Sequence, residues 1–387
     1  MSNDMRNNGR QADSLTVAVL GTGPMAGIHL AAWAELRDRG LQVDGRRVSI
    51  EPAVYGRDTE KVRAIAAQHR VARTSTRLEE LIDASDVDVV DNCLVNSEHF
   101  GPLMRAIDSG KHVFTEKPLT IDLGEAERLL AAARKAGVQH GVIQNMRFNP
   151  GPRKAGQLIE EGFVGRVFSA DVLFGYMVPQ TVVNRPTWFY KKEEAGGGII
   201  EDMMAHFFDL LRYLVGPIDA VYAATGIAWD TRREPDGTPF TVEVEDLASV
   251  SIRFGNGVIG NCFASWVRRK HEEVPEFQID GEDGSLLFSF NSLRTQKQAE
   301  TPLFRFDARQ VQAESLADWH TVDLELRDPF GLQLEQFLGG IVRGRPTTPD
   351  WEDAVINQRL IKAAYLSATE RREVRLEEIG SAVRTAA

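Results

Sequence analysis

The sequence predicts an α/β protein of two folded units, an N-terminal doubly wound parallel sheet followed by a C-terminal α+β unit with mostly antiparallel strands. Three observations carry this. Strand-like and helix-like segments alternate from Leu15 to about Gln144. After Pro150, β runs follow one another with few helical interruptions. A length of 387 residues suits two domains of ordinary size. Regular alternation implies right-handed crossovers and a parallel sheet covered by helices on both faces. In the second half, Gly255-Asn256-Gly257 and Glu282-Asp283-Gly284 separate neighbouring runs, as hairpins require.

In chain order, residues 1–14 are polar and read as a loose tail, because the apolar run behind them is too short for the middle of a secretory signal. Residues 15–20, 48–55, 87–92, 112–115 and 138–143 are the expected parallel strands, and 24–39, 59–69, 99–109 and 122–136 the helices between them. Residues 40–47 look inserted. The doubly wound unit is expected over 15–145 and the second unit over 146–387. Strands there are expected at 167–174, 220–228, 247–254, 258–264, 276–280 and 285–290. Residues 230–237 read as an exposed loop, and 351–369, behind Gly344-Arg345-Pro346, as a long helix.

Composition narrows the function classes. The chain is 43% apolar and 26% charged, which excludes disorder. The most apolar stretch, 199–214, is broken by Glu201, Asp202, His206, Asp209 and Arg212, so no membrane helix is expected. A net charge of −11 opposes loading onto nucleic acid. Cys93 and Cys262 are the only cysteines, each in a strand-like run, so neither a disulfide framework nor a metal site is expected and the compartment reads as reducing and cytoplasmic.

Gly21-Thr22-Gly23-Pro24-Met25-Ala26 follows the first strand and opens a helix. Gly21 permits the tight turn, Gly23 lets backbone approach a pyrophosphate, and Ala26 allows close packing of helix on strand. The phosphates would rest on the free N–H groups and positive end of that helix. At the end of the second strand, where an acidic residue would bind the ribose of NAD, stand Gly56 and Arg57, with Asp58 one step late. A small residue followed by Arg favours NADP, with NAD as the alternative; Arg57 as a plain surface charge is the other reading.

Glu116-Lys117-Pro118 ends a strand at the carboxyl edge of the expected sheet, where ligands of such folds collect. A lysine beside a carboxylate can be tuned to handle a substrate proton; a solvated turn is the plainer reading. If residues from Ile199 form a helix, Asp202, His206 and Asp209 share one face. Gly196-Gly197-Gly198 before it would clear space for a ligand and expose helix-start N–H groups. A core histidine partnered by two carboxylates is the alternative.

Taken together, Gly21-x-Gly23-x-x-Ala26, Asn96-Ser97-Glu98-His99, Glu116-Lys117-Pro118, Asn145-Met146-Arg147-Phe148 and the glycine run leading to Asp202-x-x-x-His206-x-x-Asp209 resemble the Gfo/Idh/MocA oxidoreductase family from about Leu15 to Leu376. The resemblance implies a Rossmann domain, a second domain whose large open sheet serves a homodimer or homotetramer, and oxidation or reduction of a sugar or polyol carbinol. It implies Lys117, Asp202 and His206 as catalytic group, with Asn96, His99, Glu116, Lys117 and Pro118 near the cofactor. Asn145, Arg147 and Trp188 join the catalytic group at the substrate, although Trp188 suits a buried core equally well. Met204 stands where many members have glycine, and Val95 where proline is frequent. On this reading His206 is the base, oriented by Asp202, and Lys117 stabilises the alkoxide, or Lys117 is itself the base. Two further functions stay open: a nicotinamide-dependent glycosidase and a non-catalytic dinucleotide-sensing regulator.

Overall fold

The computed structural model describes residues 14–183, 185–269, 275–302 and 318–380. The expected tail lies outside them up to residue 13. Among the described residues the chain forms two compact units, one running to Leu119 and taking in Arg128–Ile143 and Phe330–Trp351, the other holding Thr120–Glu127, Gln144–Pro329 and the chain from Glu352.

Along the first part of the chain the elements are β1 (Ser14–Leu20), α1 (Pro24–Arg39), β2 (Leu41–Val43), β3 (Arg46–Tyr55), α2 (Thr59–His69), β4 (Arg73–Ser75), α3 (Leu78–Ile82), β5 (Val89–Asn92), α4 (Phe100–Asp108), β6 (His112–Thr115), α5 (Leu123–Ala136) and β7 (His140–Val142). The strands form one sheet in the order β2-β3-β1-β5-β6-β7, with β4 beside the end of β3. All neighbours are parallel except β2 and β3. Central strands of a parallel sheet are covered on both faces, and Val17, Ala18, Val19 and Leu20 are all fully buried. The apparent insertion over residues 40–47 is a hairpin, with Asp44 and Gly45 both at positive φ in its turn.

The remaining elements are α6 (Pro150–Glu160), β8 (Val167–Gly175), α7 (Lys192–Ala195), α8 (Ala205–Leu214), β9 (Ile218–Gly226), β10 (Thr231–Arg233), β11 (Pro239–Thr241), β12 (Leu247–Phe254), β13 (Ile259–Ser265), β14 (Glu276–Gly281), β15 (Gly284–Phe288), β16 (Leu293–Lys297), β17 (His320–Thr321), α9 (Pro329–Arg343), α10 (Trp351–Glu370) and β18 (Val374–Arg375). Among the described residues nine strands make one open sheet, β17-β16-β15-β14-β8-β13-β12-β9-β18, antiparallel except between β8 and β13. β12 shows why it is one-sided: Ala248, Val250, Ile252 and Phe254 are buried, whereas Ser249, Ser251 and Arg253 face outward.

Two differences from the sequence reading have physical causes. The first unit is not one continuous stretch, because Leu334, Phe337 and Leu338 of α9 join the core of β1, β3 and β5. Along the edge strand β7, the Gln333 side chain donates to Val142 O (2.7 Å) and the Trp351 indole to Gly141 O (3.0 Å), so chain from far downstream satisfies an open sheet edge.

The second difference is residues 230–237, expected as an exposed loop. They include β10, paired with β11, and Arg232 is fully buried. Its guanidinium pairs with the fully buried Asp246 and donates to Val178 O (3.2 Å) and Pro179 O (2.9 Å). A polar octapeptide conceals this, because the partners lie elsewhere in the chain. Among the described residues no helix is long and apolar enough to cross a membrane. Arg232→Met strands the Asp246 carboxylate without its counter-charge, so urea denaturation is expected to show a loss of about 3–5 kcal/mol; a loss under about 1 kcal/mol contradicts the account.

Candidate active site

In the first unit the glycine turn separates two reasons for glycine. Gly21 has φ +128°, and a Cβ there would lie 2.8 Å from Cys93 O, so the chain itself requires glycine. Gly23 is extended (φ −80°), exposed, and a Cβ on it would meet nothing within 4 Å. No packing among the described residues explains that glycine. It stands at the start of α1, where Pro24 occupies the first turn and no side chain caps the helix. Ala26 is buried and Met25 half-buried. Open approach at an uncapped helix start fits a dinucleotide pyrophosphate.

At the end of β3, Gly56 is held glycine by Thr22 and Val62, into which a Cβ would run. Asp58 caps α2, accepting from Glu60 N (2.9 Å) and Lys61 N (3.1 Å). That leaves Arg57 as the exposed charge at this position.

Several residues assigned to the cofactor from sequence turn inward. His99 is fully buried, with Nδ1 2.8 Å from Pro118 O and Nε2 3.0 Å from Leu94 O, and burial holds its pKa below the ordinary value. It braces the loop that carries half-buried Asn96 to the turn at Pro118, in place of the expected cofactor contact. Glu116 is likewise buried: Oε1 accepts from His29 Nε2 (3.1 Å) and Oε2 from Lys117 N–H (3.1 Å). Its carboxylate serves the interior rather than the expected place beside the nicotinamide. Sequence reasoning missed His29 and its second partner Asp91, since a histidine five residues into a helix carries no signal until the fold supplies its partners. Lys117 is half-buried, and its bond to Pro118 is cis.

The second unit carries Asn145, Arg147, Trp188, Asp202 and His206. The helix expected from Ile199 begins as a π-turn, Ile200–Met204, and becomes α-helical at Ala205. The wider turn breaks the simple four-residue phase between Asp202 and His206. Asp202 Oδ2 lies 2.6 Å from Arg185, whose guanidinium also donates to Tyr176 Oη (2.9 Å) and stacks 4.0 Å from the Trp266 ring and 4.3 Å from Phe189. The buried His206 ring has Nδ1 2.8 Å from Gln144 Oε1; with Nδ1 as the donor, the neutral ring carries its lone pair on Nε2. Sequence reasoning reached neither Arg185 nor Gln144, because both stand outside the recognisable motifs.

Arg147, expected at the substrate, instead forms a two-pronged pair with the buried Asp209 at 2.6 Å on both arms, with Asp353 at 3.4 Å. Burial opposes its charge, but these carboxylates outweigh it and raise its pKa. Asn145 is half-buried and its carbonyl accepts from Asn149 Nδ2 (3.3 Å). Trp188 is half-buried and stacked on Phe189 at 4.1 Å, so it is not a core tryptophan. The glycine run also differs from expectation. A Cβ on Gly197 would strike the Tyr365 hydroxyl, and one on Gly198 the Glu245 backbone. Gly198 N–H and Ile200 N–H donate to the Glu245 carboxylate (3.1 and 3.0 Å), so the chain itself takes up these helix-start groups.

Two family models match the chain: the NAD-binding Rossmann fold of the oxidoreductase family over residues 15–144, and the GFO/IDH/MocA C-terminal domain over residues 153–287. The chain is 35% identical to a D-xylose dehydrogenase of Paenarthrobacter nicotinovorans over 357 residues, covering 89% of this chain and 92% of that one. The chain belongs to the GFO/IDH/MocA oxidoreductase family. Another relative is a 1,5-anhydro-D-fructose reductase of Ensifer adhaerens, 31% identical over 64% of this chain and 69% of its own. A solved levoglucosan dehydrogenase in complex with NADH and L-sorbose superposes with a TM-score of 0.83 over 94% of this chain and 99% of that one. At 23% identity it speaks for the fold alone. The first unit of this GFO/IDH/MocA protein is therefore its NAD-binding Rossmann domain.

Because no described residue lies within 4 Å of a Cβ at Gly23, Gly23→Val is expected to leave the melting temperature within a few degrees while weakening NADH binding at least tenfold in a fluorescence titration. Unchanged NADH affinity contradicts the assignment of that open approach to the pyrophosphate.

Proposed function

We propose that this protein interconverts a carbinol and a carbonyl on a cyclic sugar, glycoside or polyol, using NADP in preference to NAD. The observation that carries the reading is the held ring of His206: with Nδ1 donating to Gln144, Nε2 is the nitrogen able to take a proton. Relatives named as D-xylose dehydrogenase and 1,5-anhydro-D-fructose reductase support the substrate class. The exposed Arg57, beside an Asp58 already engaged in capping α2, supports a 2′-phosphate.

A bound nicotinamide supplies the hydride acceptor or donor. Gly21, Gly23, Pro24, Met25 and Ala26 hold its dinucleotide, with Gly56, Arg57, Asn96, Lys117 and Pro118 completing the set. His206 takes the hydroxyl proton at Nε2. Asp202, anchored by Arg185, supplies a stationary negative charge in the same unit, and the Lys117 ammonium stabilises the developing alkoxide. Lys117 as the base is the alternative, and the two titrating groups share the pH dependence. The outward face of the nine-stranded sheet, with Tyr222 and Ile259 exposed, suits a second copy of the chain, and a cytoplasmic setting suits two buried free thiols.

Positioned acid–base groups contribute about 10²- to 10⁴-fold. Lys117→Ala and His206→Ala are therefore each expected to lower kcat by at least about 10²-fold with little change in dinucleotide affinity. A panel of sugars and polyols with NAD and NADP in parallel, followed at the reduced-nicotinamide absorbance, supplies the assay; near-normal turnover in either variant refutes the roles. Arg57→Ala is expected to weaken NADPH binding at least tenfold and NADH binding less than threefold. Equal losses sink the cofactor preference.

A further inference from the structure

The interior of the first unit holds an ionic chain that none of the proposed chemistry uses. His29 is fully buried in α1. Its Nδ1 lies 2.9 and 3.1 Å from the two oxygens of Asp91, at the end of β5, and its Nε2 lies 3.1 Å from Glu116 Oε1, just past β6. Both ring nitrogens thus face carboxyl groups, and with both of these ionised the arrangement is satisfied by the doubly protonated imidazolium. Asp91 is held further by the Trp33 indole N–H (2.7 Å), also from α1. Glu116 uses its second oxygen to accept the Lys117 main-chain N–H (3.1 Å). The sequence of bonds therefore runs from the dinucleotide helix, through Asp91 and His29, into the backbone of the residue assigned to the alkoxide.

We infer that His29 is a positioning residue: as a buried imidazolium bridging Asp91 and Glu116, it fixes the Glu116-Lys117-Pro118 turn relative to α1 and so aims the Lys117 amine. Its effect on turnover rests on the role proposed for Lys117. Burial works against the charge, but the groups around the ring, Asp91 first among them, together hold the pKa of His29 well above the ordinary histidine value. The other groups against the ring do not supply a competing proton. The Cys93 thiol, pushed up to about 12 by burial, stays neutral, and Phe114 of β6 and Phe330 of α9 are apolar. Stability contributed by the raised pKa is full below the ordinary histidine value, declines as pH rises above it, and is gone once pH has passed the raised value.

Ring ¹⁵N spectra of the full-length protein are expected to show His29 doubly protonated from pH 6 to 8; a neutral tautomer at pH 7 overturns the inference. In His29→Gln, exchange of the Lys117 amide hydrogen is expected to accelerate at least tenfold, and kcat to fall at least tenfold with NADH affinity within threefold. Unchanged Lys117 exchange, or losses in kcat and NADH affinity that run in parallel, overturns it. If His29→Gln does not fold, Glu116→Gln removes the same charged link with the imidazole in place. There too, faster Lys117 exchange with a selective loss of kcat supports the bridge, and unchanged exchange or parallel losses overturn it. A wild type that turns over no sugar refutes the role of Lys117 in the proposed reaction, whereas the spectra and the exchange rates still decide the bridge.

Discussion

A charge removed from water must meet an opposite charge or a full set of hydrogen bonds, and this constraint organises the interior of each unit. In the first, His29 stands between Asp91 and Glu116 at the carboxyl ends of adjacent parallel strands. In the second, Arg147 closes on Asp209, Arg232 on Asp246, and Arg185 on Asp202. Replacing such pairs by apolar residues need not cost stability, but each pair admits one geometry, so each ties distant chain segments into a single arrangement. Asp202 shows the chemical consequence. A carboxylate anchored by a guanidinium that is itself stacked on Trp266 and Phe189 stays where it is, and a stationary dipole or charge is what a proton-transfer step can use without reorganisation.

Glycine plays several parts in this chain, and only coordinates tell them apart. Gly21 answers to a positive φ and to Cys93 O; Gly197 and Gly198 answer to Tyr365 and to the Glu245 backbone. Gly23 answers to nothing among the described residues. What sets Gly23 apart from other open glycines is its place at the uncapped start of α1, where a ligand has room to approach. The motif Gly-Gly-Gly, which from sequence looks more permissive than Gly-x-Gly, is the one filled from within.

Much of the architecture was legible. The strand at residues 112–115 and the helices at 24–39 and 59–69 fall where periodicity and capping place them, because each buries a regular stripe or a continuous apolar run and is bounded by its own turn residues. Elements whose reason lies far away in sequence were not. The α9 helix enters the first unit through Phe337 and Leu338, and Arg232 sits in a polar stretch whose counter-charge, Asp246, is on a different segment. The site divides in the same way. Residue types at Lys117, Asp202 and His206 were evident from their motifs, whereas the partners of Arg147 and His99 within the chain were not.

By itself, then, the amino-acid order determined the alternating Rossmann unit and the one-sided β unit and marked Lys117, Asp202 and His206 as candidates for proton handling, since these follow from local periodicity, turn chemistry and side-chain chemistry. Tertiary structure alone decided which polar groups face inward: that Glu116 belongs to His29, Arg147 to Asp209, and His206 Nδ1 to Gln144. The physical reason is that a hydrogen bond or ion pair between residues about sixty to ninety positions apart leaves no periodic trace, and it exists only once the backbone has brought both partners out of water together.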